Sequence, residues 1–253
     1  MAQIALITGA TAGIGKATAL KFAENNYHVI ITGRRNNLLK NLSSEIKNKF
    51  KTEILALNFD VRNLKETEAA IKSLPAKWKN IDVLVNNAGL AAGFGTIDEG
   101  KIEEWETMID TNIKGLLYVS KMIFPVMIKR KSGHIINVGS IAGKEVYLKG
   151  NVYCATKFAV DALTKSMRID LLPYNIKVTG ICPGAAETEF SLVRYKGDAE
   201  RAKNVYSGFT PLTAEDIAEV IWFAASRPPH VNINDMVIMP TVQADTKNIL
   251  KKI

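Results

Sequence analysis

Thr8-Gly9-Ala10-Thr11-Ala12-Gly13-Ile14-Gly15-Lys16 decides the fold, because it sets three glycines between a short apolar run and a longer amphipathic segment. The run before it, Ile4-Ala5-Leu6-Ile7, has the length of a buried strand, and the segment after it, carrying Ala17, Leu20 and Phe22, reads as a helix. A glycine turn in that position lets backbone N–H groups approach a pyrophosphate, at a helix N-terminus whose dipole favours an anion. Gly9, Thr11, Gly13, Ile14 and Gly15 of this G-x-x-x-G-x-G pattern are therefore candidate contacts for a dinucleotide. Taken alone, the same turn is also compatible with a strand-to-helix connection that binds nothing.

Working outward, similar β-branched runs recur at Ile4–Thr8, Val29–Thr32, Ile54–Phe59, Val83–Asn86, His134–Val138, Lys177–Ile181 and Met236–Met239, which predicts seven strands. Helical spacing is expected at 13–25, 36–48, 63–74, 101–130 (as two helices), 151–172 and 213–226, the last opened by Thr213 with Asp216 three residues on. Strands that are apolar throughout and alternate with helices imply a parallel sheet covered on both faces. The expected architecture is thus α/β, one doubly wound Rossmann domain over residues 1–253 with a seven-stranded parallel sheet. The stretch from about 185 to 210 breaks the alternation and stands after a strand end, where a substrate-covering loop belongs.

Composition bounds the function classes. Hydrophobic residues make up 47% and charged residues 23%, as in an ordinary globular protein. The net charge of +8 raises nucleic acid or a membrane surface as partners, but the basic residues are interspersed with acids. Their longest cluster, Lys129-Arg130-Lys131, reads as a helix C-terminus. Neither nucleic acid nor a membrane is expected as a partner. Cys154 and Cys182 lack the spacing of a disulfide framework or a metal site, so no metal is expected and a reducing cytoplasm fits. The first apolar run is too short for a signal segment, and no stretch approaches the ~18 apolar residues of a membrane span.

The end of the second strand bears on the choice of cofactor. A site for NAD usually carries an acid there for the ribose 2′-hydroxyl, whereas the 2′-phosphate of NADP calls for cations. The chain has Thr32-Gly33-Arg34-Arg35 and no acid, and a guanidinium fork matches phosphate geometry. NADP is the expected cofactor, with Arg34 or Arg35 as the contact; two solvated loop arginines are the alternative. Asp60-Val61 closes the third strand, where a carboxylate can accept from an adenine amino group, and Asn87-Ala88-Gly89 follows the fourth as a turn small enough for a cofactor to pass.

Tyr153 and Lys157 are four residues apart in a predicted helix, which puts their side chains on one face. Reduction of a carbonyl needs a proton donor beside its oxygen, and a nearby ammonium would make a phenol more acidic. Ser140, thirteen residues before Tyr153 and just past the fifth strand, can hold the substrate oxygen, or simply serve as a turn residue.

Together these residues resemble the short-chain dehydrogenase/reductase family. The match consists of Thr8-Gly9-x-x-x-Gly13-x-Gly15, Asn87-Ala88-Gly89, Asn112, Ser140, Tyr153-x-x-x-Lys157 and Pro183-Gly184-x-x-x-Thr188, in the family's order. The resemblance implies Tyr153 as acid/base, Lys157 as modulator of its pKa and ribose anchor, Ser140 as substrate-orienting and Asn112 as part of a water-linked proton relay. It also implies Pro183, Gly184 and Thr188 at the cofactor, and a homotetramer.

Within the family, Gly139–Gly143, Gly150–Tyr153, Glu187–Gly197 and His230–Ile233 are similar to NADP-dependent 3-hydroxy acid dehydrogenases, whose substrates include serine, L-allo-threonine and malonic semialdehyde. A carboxylate on the substrate calls for a cation, and Arg194 in the covering segment is the candidate; a surface pair with Glu189 or Asp198 is the alternative. Two other functions fit the same residues less fully: a carbonyl reductase of broad specificity, and a protein that senses NADP without chemistry.

Overall fold

The computed structural model of the protein describes residues 2–251. Seven strands, β1 (Ile4–Ile7), β2 (His28–Gly33), β3 (Ile54–Asn58), β4 (Val83–Asn86), β5 (Gly133–Val138), β6 (Ile176–Pro183) and β7 (Asp235–Ile238), join one sheet in the order β3-β2-β1-β4-β5-β6-β7. Every neighbouring pair is parallel, as the near-continuous apolar runs require. The fold is therefore the Rossmann-like α/β sandwich expected from the sequence.

Alternation along β1 shows how the two faces are filled. Ala5 and Ile7 pack into one core with Phe22, Val29, Ile31 and Val85; Ile4 and Leu6 pack into the other with Ile30, Leu84, Ile123 and Ile135. Helices α1 (Gly13–Glu24), α2 (Asn36–Lys49) and α9 (Ala214–Ala225) cover the first face. Phe22, Tyr27 and Trp222 lock α1 to α9 by edge-to-face contacts, with ring centroids 5.1 to 5.6 Å apart. Helices α3 (Leu64–Lys72), α5 (Leu116–Arg130) and α6 (Asn151–Asp170) cover the second. The start of α9 carries the expected capping box, in which Asp216 N–H donates to Thr213 Oγ1 at 3.1 Å and Thr213 N–H to Asp216 Oδ2 at 2.8 Å.

Two departures from the sequence reading bear on the site. Residues 101–130 form α4 (Ile102–Ile109) and α5, but the two are joined by a π-turn over Asp110–Gly115 that carries Asn112. The segment 185–210, expected as an irregular loop, holds two short helices, α7 (Glu189–Arg194) and α8 (Ala199–Asn204). Each begins at a side-chain cap, Thr188 Oγ1 accepting from Phe190 N–H at 3.2 Å and Asp198 Oδ1 from Arg201 N–H at 2.9 Å. At six residues each they are too short to leave a periodic signal. Among the described residues no helix is long and apolar enough to cross a membrane, and no group of three potential metal ligands occurs.

Candidate active site

The sheet order reverses between β1 and β4, and beyond the C-terminal ends of these strands lies a cleft of about 580 Å³. Its first wall is the glycine turn. Gly9 and Gly13 adopt φ of +65° and +50°, and the N-terminus of α1 has no side-chain cap, which leaves its first-turn N–H groups facing whatever occupies the cleft. Thr8 Oγ1 ties this turn to the end of β4 by accepting from the backbone of Asn87 at 3.0 Å and Ala88 at 2.9 Å. The Asn87 side chain answers with bonds from Nδ2 to Thr8 O at 2.9 Å and Gly9 O at 3.2 Å. Such an uncapped, glycine-lined helix start suits a pyrophosphate.

The rim suits a phosphomonoester. Arg35 lies over the turn, donating from Nε and Nη2 to Thr11 Oγ1 at 3.1 and 2.9 Å, while Nη1 holds Glu189 at the start of α7 at 2.8 Å. Arg34 is largely exposed and stands 3.8 Å from Asp60. Asp60 is gripped by the Arg62 fork at 2.6 to 3.1 Å. Burial would raise its carboxyl, but the hydrogen bonds and charge of Arg62 outweigh that and keep it below the usual carboxylate range.

Farther in, Ser140, Tyr153 and Lys157 line the cleft together with Val61, Ala88, Gly89, Pro183, Gly184 and Thr188. Tyr153 and Lys157 are almost fully buried, and the ammonium stands 6.0 Å from the phenol ring centroid while donating to Val138 O at 3.0 Å. The two heads thus share one chamber, although their protons do not behave as the spacing alone suggested. Desolvation pushes the Tyr153 phenol up, and the nearby Tyr147 adds to the rise; the Ser140 hydrogen bond and the Arg194 charge oppose it without prevailing. Desolvation also lowers Lys157, to about 8. Burial of both groups is therefore stronger in the chain by itself than any acidifying influence of Lys157 on the tyrosine.

Two predicted residues lie outside the cleft wall. Gly15 packs behind the turn, where a Cβ would stand 2.4 Å from Gly9 O, so its smallness serves the approach of α1 to β1. Asn112 is buried one layer back, accepting from Leu90 N–H at 2.8 Å and donating to Leu90 O at 2.8 Å and Thr156 Oγ1 at 3.0 Å. It still borders the chamber, since a Cβ on Gly89 would lie 3.2 Å from Asn112 Oδ1 and 3.6 Å from Lys157 Nζ.

Arg194 closes the far end. Its guanidinium carbon stands 4.7 Å from the Phe94 ring centroid, 5.5 Å from Tyr147 and 5.8 Å from Tyr153. The surface pair considered for it does not form: Glu189 is taken by Arg35 at 2.8 Å, and Asp198 caps α8. No ion pair holds Arg194 among the described residues. Tyr147, Phe190, Gln243, Thr246 and Ile249 also line the cleft. Sequence reasoning missed their place in the cleft, because they come from segments with no local motif; only Phe190 fell within a stretch already noted for resemblance.

The comparisons with known proteins agree with this geometry. The model of the short chain dehydrogenase family matches residues 3–197. The chain is 48% identical over 243 residues to the NADP-dependent 3-hydroxy acid dehydrogenase YdfG of Salmonella typhi, covering 96% of each chain. It is 43% identical over 244 residues to the serine 3-dehydrogenase of Agrobacterium fabrum, again with 96% of both covered. A solved closed form of serine dehydrogenase complexed with NADP+ superposes with a TM-score of 0.93 at 43% identity, over 99% of this chain and 100% of that one. A glycine turn, a buried tyrosine–lysine pair and a serine at one sheet reversal, with relatives matched end to end, place the chain in the short-chain dehydrogenase family.

Proposed function

We propose that the protein moves hydride between NADP(H) and the carbinol carbon of a small 3-hydroxy acid such as serine, L-allo-threonine or 3-hydroxypropionate, with malonic semialdehyde as the oxidised partner of the last. As a member of this family with NADP-dependent relatives, it is an NADP-dependent oxidoreductase acting on CH–OH groups. The bound nicotinamide supplies or accepts the hydride.

The chain's own residues do the rest. Gly9, Thr11, Gly13 and Ile14 hold the pyrophosphate against α1, Arg34 and Arg35 the 2′-phosphate, and Asp60 and Val61 the adenine. Asn87, Ala88, Gly89, Pro183, Gly184 and Thr188 line the passage to the reacting end. Ser140 orients the substrate oxygen, and Tyr153 Oη gives its proton to that oxygen in reduction or takes it in oxidation. Lys157 anchors the ribose and adds positive charge to the chamber, and Asn112 braces the backbone at Leu90, the residue after Gly89. Arg194 takes the substrate carboxylate.

The observation that carries the acid reading is Arg194, a cation without an acidic partner set among the rings of Phe94, Tyr147 and Tyr153. Replacing Arg194 with Gln is expected to lower kcat/KM for serine and 3-hydroxypropionate by roughly 10- to 100-fold, the loss of a charge-assisted hydrogen bond of ~1.5–3 kcal/mol. A matched neutral alcohol should change little. Equal effects on acid and neutral substrates would instead favour a broad carbonyl reductase.

A further inference from the structure

The last strand ends at Ile238, yet the chain beyond it returns to the cleft. Residues 242–250 form a hairpin in which Ala244 N–H donates to Asn248 O and Leu250 N–H to Val242 O, both at 2.9 Å. Asp245 sets its turn, Oδ1 accepting from the backbone of Lys247 and Asn248 at 2.7 Å each. Two tethers fix the hairpin in place. Buried Gln243 accepts from Ala185 N–H at 2.8 Å, just past β6. Thr246 donates through its N–H and its hydroxyl to Glu145 Oε2, both at 3.2 Å, and Glu145 belongs to the loop that carries Ser140. The hairpin thus bridges the loops after β5 and β6, and half-buried Thr246 and Ile249 present it to the cleft.

Arg194 of α7, a cation without an acidic partner, lines the cleft with its guanidinium carbon 5.8 Å from the Tyr153 ring centroid. A substrate carboxylate held there, with the carbinol oxygen at Ser140 and Tyr153, leaves the other end of the molecule to the wall that is tethered to the loop of Ser140, which is the hairpin.

We propose that Thr246 and Ile249 determine specificity, forming the wall that meets the carbon chain on the far side of the carbinol from the carboxylate and so limiting its length. The inference rests on the 3-hydroxy acid reading only for which end of the substrate meets this wall.

The test is kcat/KM for 3-hydroxypropionate, 3-hydroxybutyrate and 3-hydroxyhexanoate with NADP+ in the wild type, Ile249→Ala and Ile249→Trp. Ile249→Ala should raise the ratio of longer to shorter acid about tenfold per methylene newly accommodated, and Ile249→Trp should lower it, while the Kd for NADP+ stays within about twofold. Unchanged ratios in both variants with intact NADP+ binding overturn the proposal. Should the wild type oxidise none of these acids, the matched 1-alkanol series replaces them. A length shift there upholds the hairpin's role while the acid reading falls, and no shift overturns the role itself.

Discussion

At Tyr153 two opposing influences meet. A phenolate there would sit beside Tyr147 and the Cys154 thiol with little water, a cost that exceeds the relief offered by the Ser140 hydrogen bond and the Arg194 charge. The phenol therefore keeps its proton at neutral pH, which suits donation to a carbonyl oxygen. Lys157 shows the same pressure from the other sign, since burial lowers it to about 8. At the opposite end of the cleft, Arg35 shares its guanidinium between Thr11 and Glu189 and so stands where a 2′-phosphate could take over the Thr11 bonds. Replacing Arg34 and Arg35 with Ser should raise KM for NADPH roughly 100-fold, the scale of a lost charge-assisted pair, and leave KM for NADH nearly unchanged. Steady-state titration of both coenzymes reads this, and an equal change in both would remove the arginines from cofactor choice.

The element that governs binding is the turn from β1 to α1. Gly9 and Gly13 adopt left-handed backbone, whereas Gly15 is required by a close approach, a Cβ there lying 2.4 Å from Gly9 O and 2.5 Å from Asn87 Nδ2. Gly15→Ala should cost about 1–3 kcal/mol of overpacking, lower Tm by roughly 3–10 °C and weaken NADP+ binding together with it. Thermal denaturation with a parallel NADP+ titration checks this, and an unshifted Tm would mean that the turn yields freely. This turn was legible in the sequence because glycine spacing maps directly onto backbone shape. The π-turn under Asn112 and the short helices α7 and α8 were not, since six-residue elements depend on caps and tertiary contacts more than on periodicity. Arg194 illustrates the same limit: its number could be chosen from the sequence, but its freedom from Glu189 became visible only once Arg35 was seen to occupy that acid.

Across the whole molecule, the parallel sheet was readable because its central strands are buried on both faces, as in the burial of all four residues of β1 and of β4. The near wall of the cleft followed from local motifs at strand ends. The far wall did not, because Tyr147, Gln243, Thr246 and Ile249 converge there from segments up to about 100 residues apart, a meeting that no short pattern encodes. What unites the two walls is a single chamber in which a buried phenol exchanges a proton with substrate. The pH profile of alcohol oxidation in the wild type and Tyr153→Phe, with NADP+ affinity measured alongside, tests that most directly. Because burial holds the phenol protonated, wild-type oxidation should climb as pH rises through the alkaline range. The Phe variant should bind NADP+ normally and turn over at least ~100-fold more slowly at every pH; wild-type rates in Tyr153→Phe would contradict the account.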